Sequence, residues 1–450
     1  MTREPQRVED LGAFGEKLHS NSHQLCSSSD LALSDVLGWR PSVVSRDLIV
    51  DERLISIDFA ALVLVAILAV FMSSEAAEAQ FLSRVHPVEG DEIKLGMSYA
   101  ETGRLGFLGR AAKRGTQACF ARANAEGGIS GRKVLLIAYD DHNEPIETVS
   151  NTERLIDRDN VFALLNFLGT PTSRAVLPMV SESNIVLLGP LSGADVFSHP
   201  IQTCIFNTRA SYEEEVEVLV SHLIADLGIR KIALFRQDDS YGDAGHAAVA
   251  DALQRRGLQL IGEGGYVRNS VRALDALYHI AKTKPEAVLL FGTYKPCADF
   301  IRGAKLLGLK NTVFCNVSSV GTEPLANYLG EAGKGVIISQ VVPSPYDPSL
   351  PLVHDYQRDM QAIGSTDFTY VGLEAYLNGL VMLAALRAAG PELTEEKFIQ
   401  SLEHLDLDFQ ALRIRFGPNM RQANHQVFLT KIEQGKAVPI EKLNPADYTR

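Results

Sequence analysis

From Ile93 onward, short runs of apolar and β-branched residues alternate with longer stretches whose apolar positions recur at helical spacing. Ile93–Tyr99, Lys133–Asp141, Phe162–Phe167 and Asn184–Pro190 read as strands. Helices are expected between them at Gly106–Glu126, Pro145–Asp159 and Thr172–Glu182. The strand runs are apolar throughout rather than at every second residue. That is the pattern of strands covered on both faces in a parallel sheet. The series then restarts. Cys204–Thr208 leads into a helix over Ser211–Leu227, where Ser211 and Glu214 have the spacing of a capping box. Strands follow at Lys231–Arg236, Leu258–Tyr266, Ala287–Thr293, Thr312–Val317 and Gly335–Gln340. The helices between them begin near Asp243, lie between the second and third of these strands, and cover Cys297–Leu307. Helices at Val353–Ile363, Phe368–Ala389 and Glu395–Leu402 come next, and Leu412–Phe416 with Gln426–Ile432 reads as a closing hairpin or a pair of strands. Such repetition predicts an α/β protein of two doubly wound units. Ligands of open α/β sheets bind beyond the carboxyl ends of the strands, so two facing units predict a cleft between those ends.

The segment before this pattern is different. Phe59–Met72 is an uncharged run of 14 residues. A membrane-spanning helix needs about 20 residues, whereas the apolar part of a signal peptide has about 7–15. Ala77 and Ala79 supply a small-x-small cleavage pattern, with cleavage after Ala79. The flank holding Asp51, Glu52, Arg53 and Asp58 is not positive, and some 50 residues precede it. Residues 1–53 therefore read as a non-structural N-terminal extension, with translation starting downstream of Met1, and 54–79 as a signal peptide. An uncleaved anchor over Leu54–Met72 is the other reading. No cysteine follows the apolar run to carry a lipid.

Composition narrows the function. The 450 residues are 46% apolar and 22% charged, which is ordinary for a globular chain. Net charge is −12, from 43 basic and 55 acidic side chains, and no block of Lys/Arg occurs, so a nucleic-acid footprint is absent. Residues 1–79 hold 6 basic and 12 acidic side chains, which leaves the expected exported part at −6, without a polybasic patch for anionic lipid. Five cysteines form no CxxC pair and HExxH is missing, so no zinc site is encoded. Cys297 and Cys315 are open to a bridge or to two separate buried thiols. No GxSxG, Walker A or GxGxxG motif is present, so neither an enzyme nor a bound cofactor is expected.

Candidate chemistry gathers after the strands. Gly103, Gly106 and Gly109 recur in the first such loop, where they allow close backbone approach or simply make a tight turn. Asp140 and Asp141 before His142 read as turn caps. Leu168-Gly-Thr170-Pro-Thr172-Ser173 brings three hydroxyls to a helix start, suited to one carboxylate or to capping. Leu191-Ser-Gly193 is a second small polar loop facing the same point. The second unit offers Tyr241 after one strand and Thr293-Tyr294 after another. An aromatic ring with a hydroxyl tip can cover an apolar ligand and still hydrogen-bond, or can pack on its own lobe.

Asn124–Gly131 with Lys133–Asp141 and Pro145, Asp239–Gly242, and Lys305–Leu309 together resemble leucine/isoleucine/valine-type substrate-binding proteins of ABC transporters, the type I periplasmic binding proteins. The likeness runs from about Ile93 to Ile432. It implies two Rossmann-like lobes joined by three hinge crossings, near Ala210, Val342 and Ala411, with the ligand cleft between them. Lobe 1 is then 92–210 with 343–410, and lobe 2 is 211–342 with 411–450. It implies a monomer, in the periplasm, that captures an amino acid or a related small carboxylate or amide for an ABC permease. The alternative is a sensing module that signals through a membrane receptor or kinase. Thr170 matches the hydroxyl that holds a ligand carboxylate, Leu191 and Gly193 match further contacts, and Leu168 would line the pocket. Tyr241 and Tyr294 match aromatics that close over the ligand. Ser318, with Ser319 next, stands where the family has an acid for the ligand ammonium, and Leu108 stands where some members have a tyrosine. That departure leaves an amide, a carboxylic acid or a differently held amino acid as ligands.

Overall fold

The computed structural model describes residues 90–448, so the readings made for 1–53 and 54–79 lie outside the described residues. The first lobe is built from β1 (Glu92–Tyr99), α1 (Gly106–Ala125), β2 (Lys133–Asp140), α2 (Pro145–Glu153), β3 (Ala163–Leu165), α3 (Thr170–Ala175), α4 (Leu177–Ser183), β4 (Val186–Leu188) and β5 (Ile205–Phe206). Its five strands are parallel, in the order β2-β1-β3-β4-β5. The β3 and β4 side chains are fully buried, as their unbroken apolar runs require.

The chain then crosses to the second lobe: α5 (Tyr212–Ala225), β6 (Ile232–Gln237), α6 (Ser240–Gln254), β7 (Gly262–Tyr266), α7 (Leu274–Lys282), β8 (Ala287–Phe291), α8 (Tyr294–Leu306), β9 (Val313–Asn316), α9 (Thr322–Leu329) and β10 (Ile337–Gln340). The Ser211–Glu214 capping box forms at the start of α5. The chain returns to the first lobe through α10 (Pro351–Ala362), α11 (Tyr370–Ala389), α12 (Glu395–Glu403) and the pair β11 (Asp406–Asp408) and β12 (Arg413–Arg415). Finally β13 (Phe428–Glu433) and β14 (Lys436–Ile440) add antiparallel to the second sheet, whose order is β14-β13-β10-β9-β8-β6-β7. In both sheets the second strand in sequence lies outside the first and the third lies inside it. The switch points are therefore β1/β3 and β6/β8, and the loops after these strands are where a ligand site belongs.

Two expectations change. Leu412–Phe416 does not pair with the strand at Gln426–Ile432. It pairs with Asp406–Asp408, because Leu412, Ile414 and Phe416 bury in the first lobe's core, where Phe416 meets Phe206 edge-on at 5.2 Å. The third crossing thus falls beyond Ala423, which belongs to the same core, and not near Ala411. Cys297 and Cys315 are separate buried thiols.

α11 is apolar nearly all round, and most of it is enclosed. It has the length and apolarity to cross a bilayer, yet it packs along α1 inside the first lobe, where Gly115 touches the Gly372 carbonyl too closely for any side chain. The same closeness recurs at the first turns of α1 and α6. A Cβ on Gly109 would lie 1.9 Å from the Ala100 carbonyl oxygen, and one on Gly242 would lie 1.8 Å from that of Gln237. These contacts draw each helix start down onto the strand end that faces the other lobe.

Candidate functional site

Between the two sets of strand ends lies a cavity of about 700 Å³, including its open mouth. Its apolar wall is Leu105 and Leu108 after β1, Leu168 after β3, Leu191 after β4, Val341 and Val342 on the second crossing, and Val371 on α11. Leu168 and Leu191 stand side by side through a parallel backbone bridge. The polar wall is contributed by both lobes: Thr170 from the first, Arg209 on the first crossing, and Tyr212, Gln237, Tyr241, Thr293, Ser318 and Ser319 from the second. Tyr370 and Glu374 face it from α11.

A chain of hydroxyls runs across the cleft. Thr170 Oγ1 bonds Ser192 Oγ at 2.7 Å and lies 3.5 Å from Tyr212 Oη, which bonds Ser319 Oγ at 2.9 Å. The Tyr212, Tyr241 and Phe291 rings pack with centroids 5.5–5.7 Å apart. Asp239 caps α6 by accepting from the Tyr241 and Gly242 N–H groups, which fixes where Tyr241 enters the cavity. The Tyr241 hydroxyl is buried without a hydrogen-bond partner among the described residues, and burial pushes its pKa well above the ordinary phenol value.

Two of these wall residues, Arg209 and Glu374, belong to a buried ion triad. Arg209 pairs with Glu215 on α5 at 2.8 Å and with Glu374 on α11 at 3.1 Å, and all three side chains are less than a tenth exposed. Burial opposes the charge on Arg209, but the two carboxylates more than offset this and raise its pKa. Glu215 also accepts from the Ser318 N–H at 2.8 Å, Ser318 Oγ at 2.9 Å and Ser339 Oγ at 2.6 Å. Burial raises the Glu374 carboxyl, with Arg209 pulling against it. The turn that carries Glu374 is held by Asn166 at the end of β3, whose Nδ2 donates to the Ala375 carbonyl at 3.1 Å.

Of the residues singled out from the sequence, Leu168, Thr170, Leu191, Tyr241, Thr293 and Ser318 come together on the cavity wall. Four do not. Thr172 and Ser173 turn inward: Thr172 Oγ1 donates to the Gly169 carbonyl at 2.9 Å and Ser173 Oγ to that of Phe167 at 3.3 Å, because α3 begins at Thr170 and places them within its turn. Gly193 gives its carbonyl to the Tyr212 N–H at 2.7 Å, behind the wall. Tyr294 lies on the lip, donating to the Arg104 carbonyl of the opposite lobe at 3.0 Å. Reasoning from the sequence missed Arg209, Tyr212, Tyr370 and Glu374. One signal was available: Glu374 is a lone acid within an otherwise apolar helical run, and a buried charge needs a reason.

The lobes are shut on each other. Arg268 Nη2 pairs with Glu144 Oε2 at 2.6 Å, Arg268 Nη1 bonds the Asn143 carbonyl, and Asn269 bonds Glu144 as well. At the hinge side, Glu323 on α9 accepts from the Tyr370 N–H at 2.9 Å and from Tyr346 Oη at 3.2 Å. Burial raises the Glu323 carboxyl to about 7, against the pull of these donors. A carboxyl raised in the folded state favours folding when protonated. That contribution is complete below the ordinary value near 4.5 and is lost as pH rises through about 7. Thermal unfolding from pH 5 to pH 8 should therefore show wild type losing on the order of 1–2 kcal/mol relative to Glu323→Gln. Parallel pH profiles for the two proteins would contradict this.

Two lobes built on mainly parallel sheets that meet strand end to strand end, crossed three times by the chain around a mixed apolar and hydroxyl-lined cavity, define a clamshell binding protein. The comparisons agree. The family described as "Periplasmic binding protein" matches residues 92–437, and the chain belongs to that family, a class of solute-binding proteins. The chain is 23% identical over 307 residues to the Leu/Ile/Val/Thr-binding protein of Salmonella typhimurium, covering 66% of this chain and 82% of that one. A crystal structure of a possible leucine/isoleucine/valine-binding protein from Rhodopirellula baltica superposes with a TM-score of 0.75 at 32% identity, over 79% of this chain and 98% of that one. The fold is shared as well by a branched-chain amino acid ABC transporter protein from Thermus thermophilus with bound valine, with TM-score 0.72, 19% identity, and coverage of 80% and 98%.

Proposed function

We propose that the protein captures a small aliphatic amino acid, or a closely related carboxylate or amide, outside the cytoplasm and delivers it to an ABC permease without chemical change. The observation that carries this reading is the cavity between the two lobes. Its leucine and valine wall suits an aliphatic side chain, and its hydroxyl chain, drawn from both lobes, suits a polar head. A ligand that touches both lobes only when they are shut favours the shut form by its differential contacts. Thr170 supplies the hydroxyl for the head group, and Tyr241 offers a buried hydroxyl that no other group among the described residues engages. The names of the Salmonella and Rhodopirellula proteins point to the same ligand class.

Isothermal titration with the common amino acids and their amides and des-amino acids is the direct test. One compact aliphatic member of the panel should bind, and Thr170→Ala should weaken it about tenfold, the worth of one hydrogen bond to a charged group. Undiminished affinity in a Thr170→Val, Tyr241→Phe double variant would remove this site from consideration.

A further inference from the structure

We infer that Glu374 is the group that receives a cationic nitrogen of the ligand, which makes the solute an ammonium-bearing molecule rather than a bare carboxylic acid or amide. The inference rests on the solute-binding reading of the cavity and sharpens it. The second lobe presents Ser318 to the cavity, and that serine is tied to Glu215 through both its N–H and its hydroxyl. Glu215 is not available to a ligand: it already accepts from Arg209, twice from Ser318, and from Ser339, and it is fully buried. Glu374 differs. Its Oε1 accepts from Arg209 Nη1, while its Oε2 takes no protein donor among the described residues, and the side chain lines the cavity at 8% exposure.

The charge balance points the same way. One guanidinium and two carboxylates leave the triad at −1, buried. Buried charge is tolerated when it is paired. An ammonium at Glu374 would sit directly against the surplus negative charge, whereas a ligand with only a carboxylate would raise the total to −2. Burial raises the Glu374 carboxyl, and the pull of Arg209 does not cancel this. A zwitterionic amino acid satisfies both ends of the cavity, its ammonium at Glu374 and its carboxylate at the Thr170 hydroxyl. Arg209, saturated by its two glutamates and Ser318, acts as the positioning residue that aims Glu374.

The experiment is titration of wild type and Glu374→Gln with L-leucine, L-valine, 4-methylpentanoate (leucine without its amine) and the remaining amino acids of the panel. For the amino acid that binds, deleting the amine should weaken wild-type affinity at least 100-fold, and Glu374→Gln should weaken the amino acid about 30-fold while leaving the des-amino acid unchanged or tighter. The wild-type comparison does not depend on the variant folding. Equal binding of the des-amino acid by wild type, or amino-acid binding by a folded Glu374→Gln within twofold of wild type, overturns the inference and leaves the cavity reading standing. A wild-type protein that binds no member of the panel overturns the cavity reading, and this inference falls with it.

Discussion

Arg209→Met should unfold at a markedly lower urea concentration than wild type, with a stability loss of about 3–5 kcal/mol, the range for breaking a buried ion pair from one side. The reason lies in what remains. Arg209 is the only cation in contact with Glu215 and Glu374 among the described residues, and both glutamates are buried. Glu215 would keep its three serine donors, but Glu374 would keep none. The loss should therefore be uneven. Adding Glu374→Gln to Arg209→Met should recover a good part of the stability, because it removes the stranded charge, whereas Glu374→Gln alone should be nearly neutral. A midpoint for Arg209→Met within the scatter of wild type would show that the triad is held by packing and not by charge. The position of Arg209 gives the effect a second reach. It sits on the first crossing with one carboxylate partner in each lobe, so its loss loosens the joint between them as well as their stability.

Gly242→Ala should lose about 3 kcal/mol by the same measurement, at the upper end of what overpacking costs. The new Cβ would fall 1.8 Å from the Gln237 carbonyl oxygen. That neighbour is main chain in β6, so no rotamer change relieves the overlap, and α6 must lift from the strand. Tyr241 precedes the glycine and rides on the same turn, so ligand affinity should fall together with stability. Gly109 has the matching contact in the first lobe, and its alanine variant should behave alike. A Gly242→Ala protein with wild-type stability and affinity would mean that the helix start tolerates displacement, contrary to its tight packing.

Much of this architecture was legible in the chain. Unbroken apolar runs such as Phe162–Phe167 and Ala287–Thr293 marked buried parallel strands, and the loops after them held six residues that the fold gathers on one cavity wall. Local pattern misled where a residue had two local uses. Thr172 and Ser173 carry hydroxyls of the right kind, but a short helix claims them for its own carbonyls. Tyr294 follows its strand as expected, yet its hydroxyl is spent on the Arg104 carbonyl at the lip. Leu412–Phe416 read as one strand of a closing hairpin or pair with Gln426–Ile432, but pairing depends on which core buries its apolar face, and spacing does not tell that. The triad was out of reach for a plainer reason. Arg209 and Glu374 stand 165 positions apart and meet only after α11 has returned from the second lobe to the first. Glu374 occupies its place because Asn166, more than 200 positions upstream, holds the next carbonyl. No rule of local spacing links such residues.

The Arg268–Glu144 clasp has a consequence for the occupant's escape. Unlike the triad, it lies at the rim, where Glu144 is 40% exposed and water can replace each bond as it breaks. Such a latch adds little to affinity, but it must part before anything inside can leave. Dissolved salt weakens contacts of this sort. Ionic strength would thus act mainly on the dwell time of the captured molecule and hardly at all on the fit between that molecule and its surroundings.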